Sequence, residues 1–165
     1  MVRAHLESPA ATGHLGRALV RLLHAPALVT LAGELGTGKT TLVRAAIRAA
    51  GVRGPVVSPS FTIAQSYSGY RGLRLHHLDL YRLRPGADVE LFAWVDYLTA
   101  DALTFVEWPE AGSHELPPAD VRLTLYHDTP HSRWAEAEAE EALESALVAA
   151  LAAEGVAGRA ELIRS

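Results

Sequence analysis

Cysteine is absent from the 165 residues. That excludes disulfides, thiolate metal sites and cysteine nucleophiles together, and it fits a reducing compartment. Long apolar runs are also missing. No stretch approaches the roughly 18 uninterrupted apolar residues of a membrane span. The longest candidate, Ala142–Ala153, is short and carries Glu144, and Met1–Pro9 has no apolar signal core. The expectation is a soluble, cytoplasmic protein without a membrane partner. Excess positive charge is lacking as well: the net charge is −4 and the pI about 6. A chain that grips DNA or RNA directly usually presents a basic face, so contact with nucleic acid is expected only through a partner. Lysine occurs once, as Lys39, among fifteen cationic side chains. Lys39 is therefore a candidate for a position where arginine would not serve.

What is present fits one compact domain over 1–165, with an apolar content of 49%. Leu15, Leu19, Leu22 and Leu23 form a helical stripe within Ser8–His24. Ala27–Leu31 reads as a buried strand and Thr40–Ala50 as an amphipathic helix, with Gly51 at its C-terminal cap. Phe61–Tyr67 and Leu73–Leu80 are strand-like around the turn Ser68–Gly72, which predicts a hairpin. Asp88–Leu98 is predicted helical, Ala102–Val106 an apolar strand and Val121–His127 a half-exposed one. Trp134–Glu140 alternates as an edge strand does, although its Ala and Glu content favours helix, and a helix is expected over Glu141–Ala153. The acidic Ala/Glu-rich segment from about 134 to 165 reads as a solvated face.

Chemistry is concentrated in Gly33-Glu34-Leu35-Gly36-Thr37-Gly38-Lys39-Thr40, which fits the phosphate-loop pattern G-x-x-x-x-G-K-[ST] between a strand and a helix. Backbone N–H groups of such a loop point inward at closely spaced phosphate charge, and the helix N-terminus adds unsatisfied N–H groups and a positive dipole end. Lys39 supplies a compact point charge where arginine's planar fork is too broad, and the Thr40 hydroxyl is placed to ligate Mg²⁺. The loop's metal needs a carboxylate at the end of a neighbouring strand. Glu107 ends the apolar run Leu103–Val106, and Asp79 ends the less apolar Leu75–Leu78. The cleaner pattern favours Glu107. His76 and His77 are adjacent in a strand, point to opposite faces and do not share one metal; structural or partner-facing roles are expected of them. Trp108 packs either near the nucleotide or in the core.

Several protein classes use this loop. GTP-binding switches read guanine through N-K-x-D, which a chain without asparagine cannot contain, and no D-x-x-G follows the loop. A small-molecule kinase with Arg82 and Arg84 on a lid stays open, as does a non-catalytic ATP-sensing module.

Four markers in order favour a further reading over both. Gly33–Thr41, Ser58-Pro59-Ser60-Phe61-Thr62, His77-Leu78-Asp79-Leu80-Tyr81-Arg82 and Val106-Glu107-Trp108-Pro109 resemble the TsaE family, ATPases of bacterial tRNA threonylcarbamoyladenosine synthesis. The resemblance runs from about Thr12 to Arg133. It implies an α/β, phosphate-loop NTPase-type three-layer domain with a mixed parallel and antiparallel sheet. It also implies ATP bound along Glu34, Leu35, Gly36, Thr37, Gly38, Lys39, Thr40 and Thr41, with Thr12 near the adenine and Trp108 and Arg133 near the nucleotide. Thr40 and Glu107 would hold Mg²⁺. Lys39, Glu107 and Asp79 would be catalytic, and Thr62 and Asp79 are alternative groups to orient the attacking water. The expected partner is a TsaD–TsaB threonylcarbamoyltransferase that ATP hydrolysis resets between rounds, with tRNA met only through that complex. Hydrolysis by the isolated chain is expected to be slow.

Overall fold

The computed structural model describes residues 1–59, 62–83, 93–112, 116–156 and 160–163. Among them run, in chain order, β1 (Val2–Leu6), α1 (Pro9–Leu22), β2 (Ala27–Ala32), α2 (Lys39–Ala49), β3 (Ala64–Ser68), β4 (Arg74–Asp79), β5 (Ala102–Glu107), β6 (Val121–His127), β7 (Arg133–Ala139), α3 (Glu141–Leu151) and β8 (Ala160–Leu162). The strands form one eight-stranded sheet in the order β3-β4-β5-β2-β6-β7-β1-β8. Pairings β4–β5, β5–β2 and β2–β6 are parallel; the β3–β4, β6–β7, β7–β1 and β1–β8 pairings are antiparallel. The sheet is mixed, as the hairpin at 64–79 requires.

Alternation divides the strands between two cores. Val29 and Leu31 of β2, Leu75 of β4, Leu103 and Phe105 of β5 and Leu123 of β6 face all three helices. Leu28, Leu78 and Val106 point the other way, under Trp94, Tyr97, Leu98, Trp108 and Ala111. The layers are therefore helices, sheet, and a cover of loops with short 3₁₀ turns at Trp94–Asp96 and Pro109–Gly112. α1 and α2 meet closely at Gly16, where a Cβ would lie 2.2 Å from the Leu42 carbonyl oxygen. Full burial of Leu42, Val43 and Ile47 stabilises α2 against the sheet by about 1.5–3 kcal/mol each. α1 starts where the Ser8 hydroxyl accepts from the Ala11 N–H, with Pro9 in the first turn.

Three expectations are corrected. Within the expected helix Asp88–Leu98 the described residues hold only a 3₁₀ turn at Trp94–Asp96, and 88–92 lie outside the described residues. The edge strand expected at Trp134–Glu140 is β7, Arg133–Ala139, and lies in the interior between β6 and β1: its alternating Ala135 and Ala137 are buried, and this packing outweighs helix propensity. The five residues of β1, too few to announce themselves, supply its other neighbour. The first hairpin strand begins at Ala64, because the Thr62 and Ile63 N–H groups are drawn into a turn by the Pro59 carbonyl. No helix among the described residues is long and apolar enough to cross a membrane.

Candidate nucleotide-binding site

Three parallel strands end side by side. Asp79 stands beside Glu107 in the β4–β5 register, and Glu107 beside Leu31 in the β2–β5 register. The chain after Leu31 and Ala32 becomes the glycine-rich loop. Its Gly33 has φ 128, and a Cβ there would meet the Leu125 carbonyl oxygen of β6 at 2.2 Å. Gly38 has φ 102 and is the N-cap of α2, which no side chain caps. Its first N–H groups are thus left for a ligand. Carboxyl ends of parallel strands and a helix N-terminus converge, as ligand sites in open α/β sheets do.

Lys39 is buried, and two carbonyls hold its ammonium: Nζ donates to Gly33 O at 2.6 Å and to Glu34 O at 2.9 Å. Nζ also lies 3.9 Å from the centre of the Trp108 ring, a cation–π arrangement. Burial lowers the Lys39 pKa; Glu107, Glu110 and Asp79 partly oppose the shift. Trp108 reaches this position through a left-handed backbone, φ 59, with its N–H donating to Leu31 O at 3.1 Å. A bulky residue there costs on the order of 1–3 kcal/mol, which the surrounding packing must offset. Its ring also packs on Tyr81, with centroids 4.8 Å apart.

Glu107 is buried and accepts at both oxygens. Thr40 Oγ1 donates to Oε2 at 3.0 Å, and His77 Nε2 lies 2.7 Å from Oε1. Asp79 Oδ1 accepts the Tyr81 N–H at 3.1 Å. Leu35, Gly36, Gly38, Lys39, Thr40, Thr41, Asp79, Glu107 and Trp108 line one cavity of about 380 Å³, with Tyr81 and Arg82 beside them. A second cleft of about 140 Å³ shares Gly36, Gly38 and Thr41 and adds Thr12, Thr37, His131 and Arg133. Arg133 donates to the loop carbonyl of Gly36 at 3.1 Å, and Thr12 packs beneath Gly38. The single Glu34 carbonyl accepts from Lys39 Nζ and from Thr37 Oγ1, each at 2.9 Å.

The structure thus gathers nearly every predicted site residue into two adjoining clefts. Thr62 is apart: its hydroxyl accepts from Gln65 Nε2 at 3.0 Å, and it lines neither cleft. Ser60, Phe61 and Arg84 lie outside the described residues. The sequence reading separates His76 from His77 correctly but misses that His77 touches Glu107. His76 faces the opposite core, 2.8 Å from Ser66 Oγ through Nδ1 and edge-on to Tyr97. Tyr81 was also missed; its two-residue distance from Asp79 was the available signal.

The family model described as threonylcarbamoyl adenosine biosynthesis protein TsaE matches residues 6–156. The chain belongs to the TsaE family. Relatives named tRNA threonylcarbamoyladenosine biosynthesis protein TsaE include one from Streptomyces coelicolor, 44% identical over 67% of this chain and 76% of its own length. A Nostoc relative is 33% identical over 82% of this chain and 85% of its own. The Haemophilus influenzae relative is 38% identical over 61% of this chain; the match spans 64% of that protein, just under two thirds. The crystal structure of Bacillus subtilis YdiB superposes with a TM-score of 0.73 at 22% identity, covering 94% of this chain and 98% of its own. At that identity the likeness concerns the fold.

Proposed function

We propose that this chain binds ATP with Mg²⁺ in the Lys39–Glu107 cleft and hydrolyses it in support of tRNA threonylcarbamoyladenosine formation. The observation that carries the reading is the meeting of Lys39, Thr40 and Glu107 at one cavity in a chain of the TsaE family. The donors suit magnesium: a hydroxyl and a carboxylate oxygen 3.0 Å apart, both hard oxygen ligands. A bound magnesium ion would neutralise phosphate charge and polarise the γ-phosphoryl group.

The chain's own groups do the rest. The loop N–H groups and the α2 N-terminus bind the phosphates. Lys39 exchanges the Gly33 and Glu34 carbonyls for phosphate oxygens, so its ammonium is never left unpaired. Thr12 and Arg133 line the cleft on the nucleoside side. Asp79, beside Glu107 and facing the cavity, is the better situated of the two candidates for orienting water, since Thr62 is outside it. Phosphoryl transfer to water needs positioning and charge neutralisation more than covalent chemistry. A site this open, with Leu35 73% exposed at its mouth, hydrolyses slowly until a partner covers it. The reading assigns that role to a TsaD–TsaB-type threonylcarbamoyltransferase, reset between rounds, in the cytoplasm.

The test is multi-turnover tRNA threonylcarbamoylation with purified TsaD and TsaB homologues, preformed threonylcarbamoyl-adenylate and tRNA. It is run without this protein, with it, and with Lys39→Ala. Product beyond one equivalent per transferase only with the intact chain supports the reading. Equal product in all three contradicts it.

A further inference from the structure

The structure assigns His77 a positioning role: it fixes the Glu107 carboxylate so that one oxygen, Oε2, is presented beside Thr40 to the metal. The inference rests on the magnesium reading above and adds a residue to it. His77 is wholly buried, and its Nε2 is 2.7 Å from Glu107 Oε1. Thr40 Oγ1 donates to the other oxygen. A carboxylate accepting on both sides is held against rotation about its terminal bond, which is otherwise loosely restrained. Nε2 must carry the hydrogen to donate to Glu107, and it does so whether the ring is neutral or charged. The role therefore needs no titration of the imidazole.

The sheet explains why a histidine stands here. Leu75, His77 and Asp79 alternate onto the helix-facing side of β4, as Leu103, Phe105 and Glu107 do on β5. Asp79 is directly beside Glu107, so His77, two residues back, is its diagonal neighbour. A diagonal neighbour needs a side chain of about histidine's length to arrive. It comes from the apolar side, where water cannot replace it. His76, one position earlier, is turned to the other core and cannot substitute. Partners that orient a metal's ligands commonly change metal affinity by about 10–100-fold when removed.

The experiment compares His77→Gln and His77→Asn in the full chain. The Gln amide nitrogen can occupy the place of Nε2, whereas the Asn amide falls short of Glu107. Binding of a fluorescent ADP analogue is titrated with Mg²⁺ and again in excess chelator, with circular dichroism melts as the folding control. The expected result is a Mg²⁺ requirement raised about tenfold or more by Asn and kept within about threefold of wild type by Gln. Binding in chelator should be unchanged for both. If Asn does not fold, Gln decides alone: a retained Mg²⁺ response supports the role and a lost one overturns it. A folded Asn variant with the wild-type Mg²⁺ response also overturns it. Wild-type binding indifferent to Mg²⁺ would instead overturn the magnesium reading, and this inference with it.

Discussion

In one half of the sheet β4, β5 and β2 run parallel, and their carboxyl ends deliver Asp79, Glu107 and the Gly33 loop to a single cavity. In the other half β6, β7 and β1 run antiparallel, and their outward positions carry Arg122, Glu136 and Glu138, which pair with one another or with near neighbours. Parallel strands are covered on both faces and all point their ends one way, so their chemistry accumulates at one edge. Antiparallel strands send alternate ends to opposite edges and leave one face wet. From this half Leu125 and His127 at the end of β6 and Arg133 at the start of β7 reach the loop.

The comparison breaks first at its seam. Gly33 joins the halves by lying against the Leu125 carbonyl of β6 at a positive φ. Gly33→Ala should cost about 3 kcal/mol or more, read as a fall in the denaturation midpoint together with loss of nucleotide binding. Retained stability would mean that the halves are not held at this point.

Lys39→Met sharpens the contrast from the parallel side. Nucleotide affinity should fall about 10- to 100-fold, the worth of a hydrogen bond to a charged group, while folding survives. The pH dependence is distinctive. Burial depresses the Lys39 pKa below 10.5, so the unfolded chain binds more protons there. Wild-type stability should therefore rise relative to Lys39→Met as pH climbs from the depressed value towards 10.5. A difference that is flat or falling across alkaline denaturation curves would refute the burial account.

On the antiparallel side the expected effects are smaller. Asp128 accepts from Ser132 Oγ at 2.6 Å and pairs with His5 at 2.9 Å, contacts that hold its pKa below 3.8. Its contribution is present above pH 3.8 and lost as pH falls through the depressed value. Asp128→Asn should lower the melting temperature slightly at neutral pH and match wild type in acid. Smallest of all, Arg122→Ala removes an exposed pair with Glu138 and should cost less than about 1 kcal/mol, with nucleotide binding intact. A large loss of binding from either change would erase the distinction between the halves.

The same contrast explains what could be read from the sequence. β2 and β5 are nearly continuous apolar runs, and the loop is contiguous, so all three were legible, as was Glu107 at its strand's end. Arg133 and Thr12 were reachable only through family resemblance, because the turn and helix that bring them to the loop are distant in sequence. The five-residue alternation of β1 and the three residues of β8 gave too little pattern for a strand. The His77 contact with Glu107 needs the knowledge that β4 lies beside β5, and composition cannot supply a neighbour's identity.

The most direct test of the account is calorimetric titration of ATP into wild type and Lys39→Ala, each with and without Mg²⁺. The account predicts binding strengthened by Mg²⁺ in the wild type and weakened about 10- to 100-fold by the substitution. Equal binding by the two proteins, or a wild type indifferent to Mg²⁺, would contradict it.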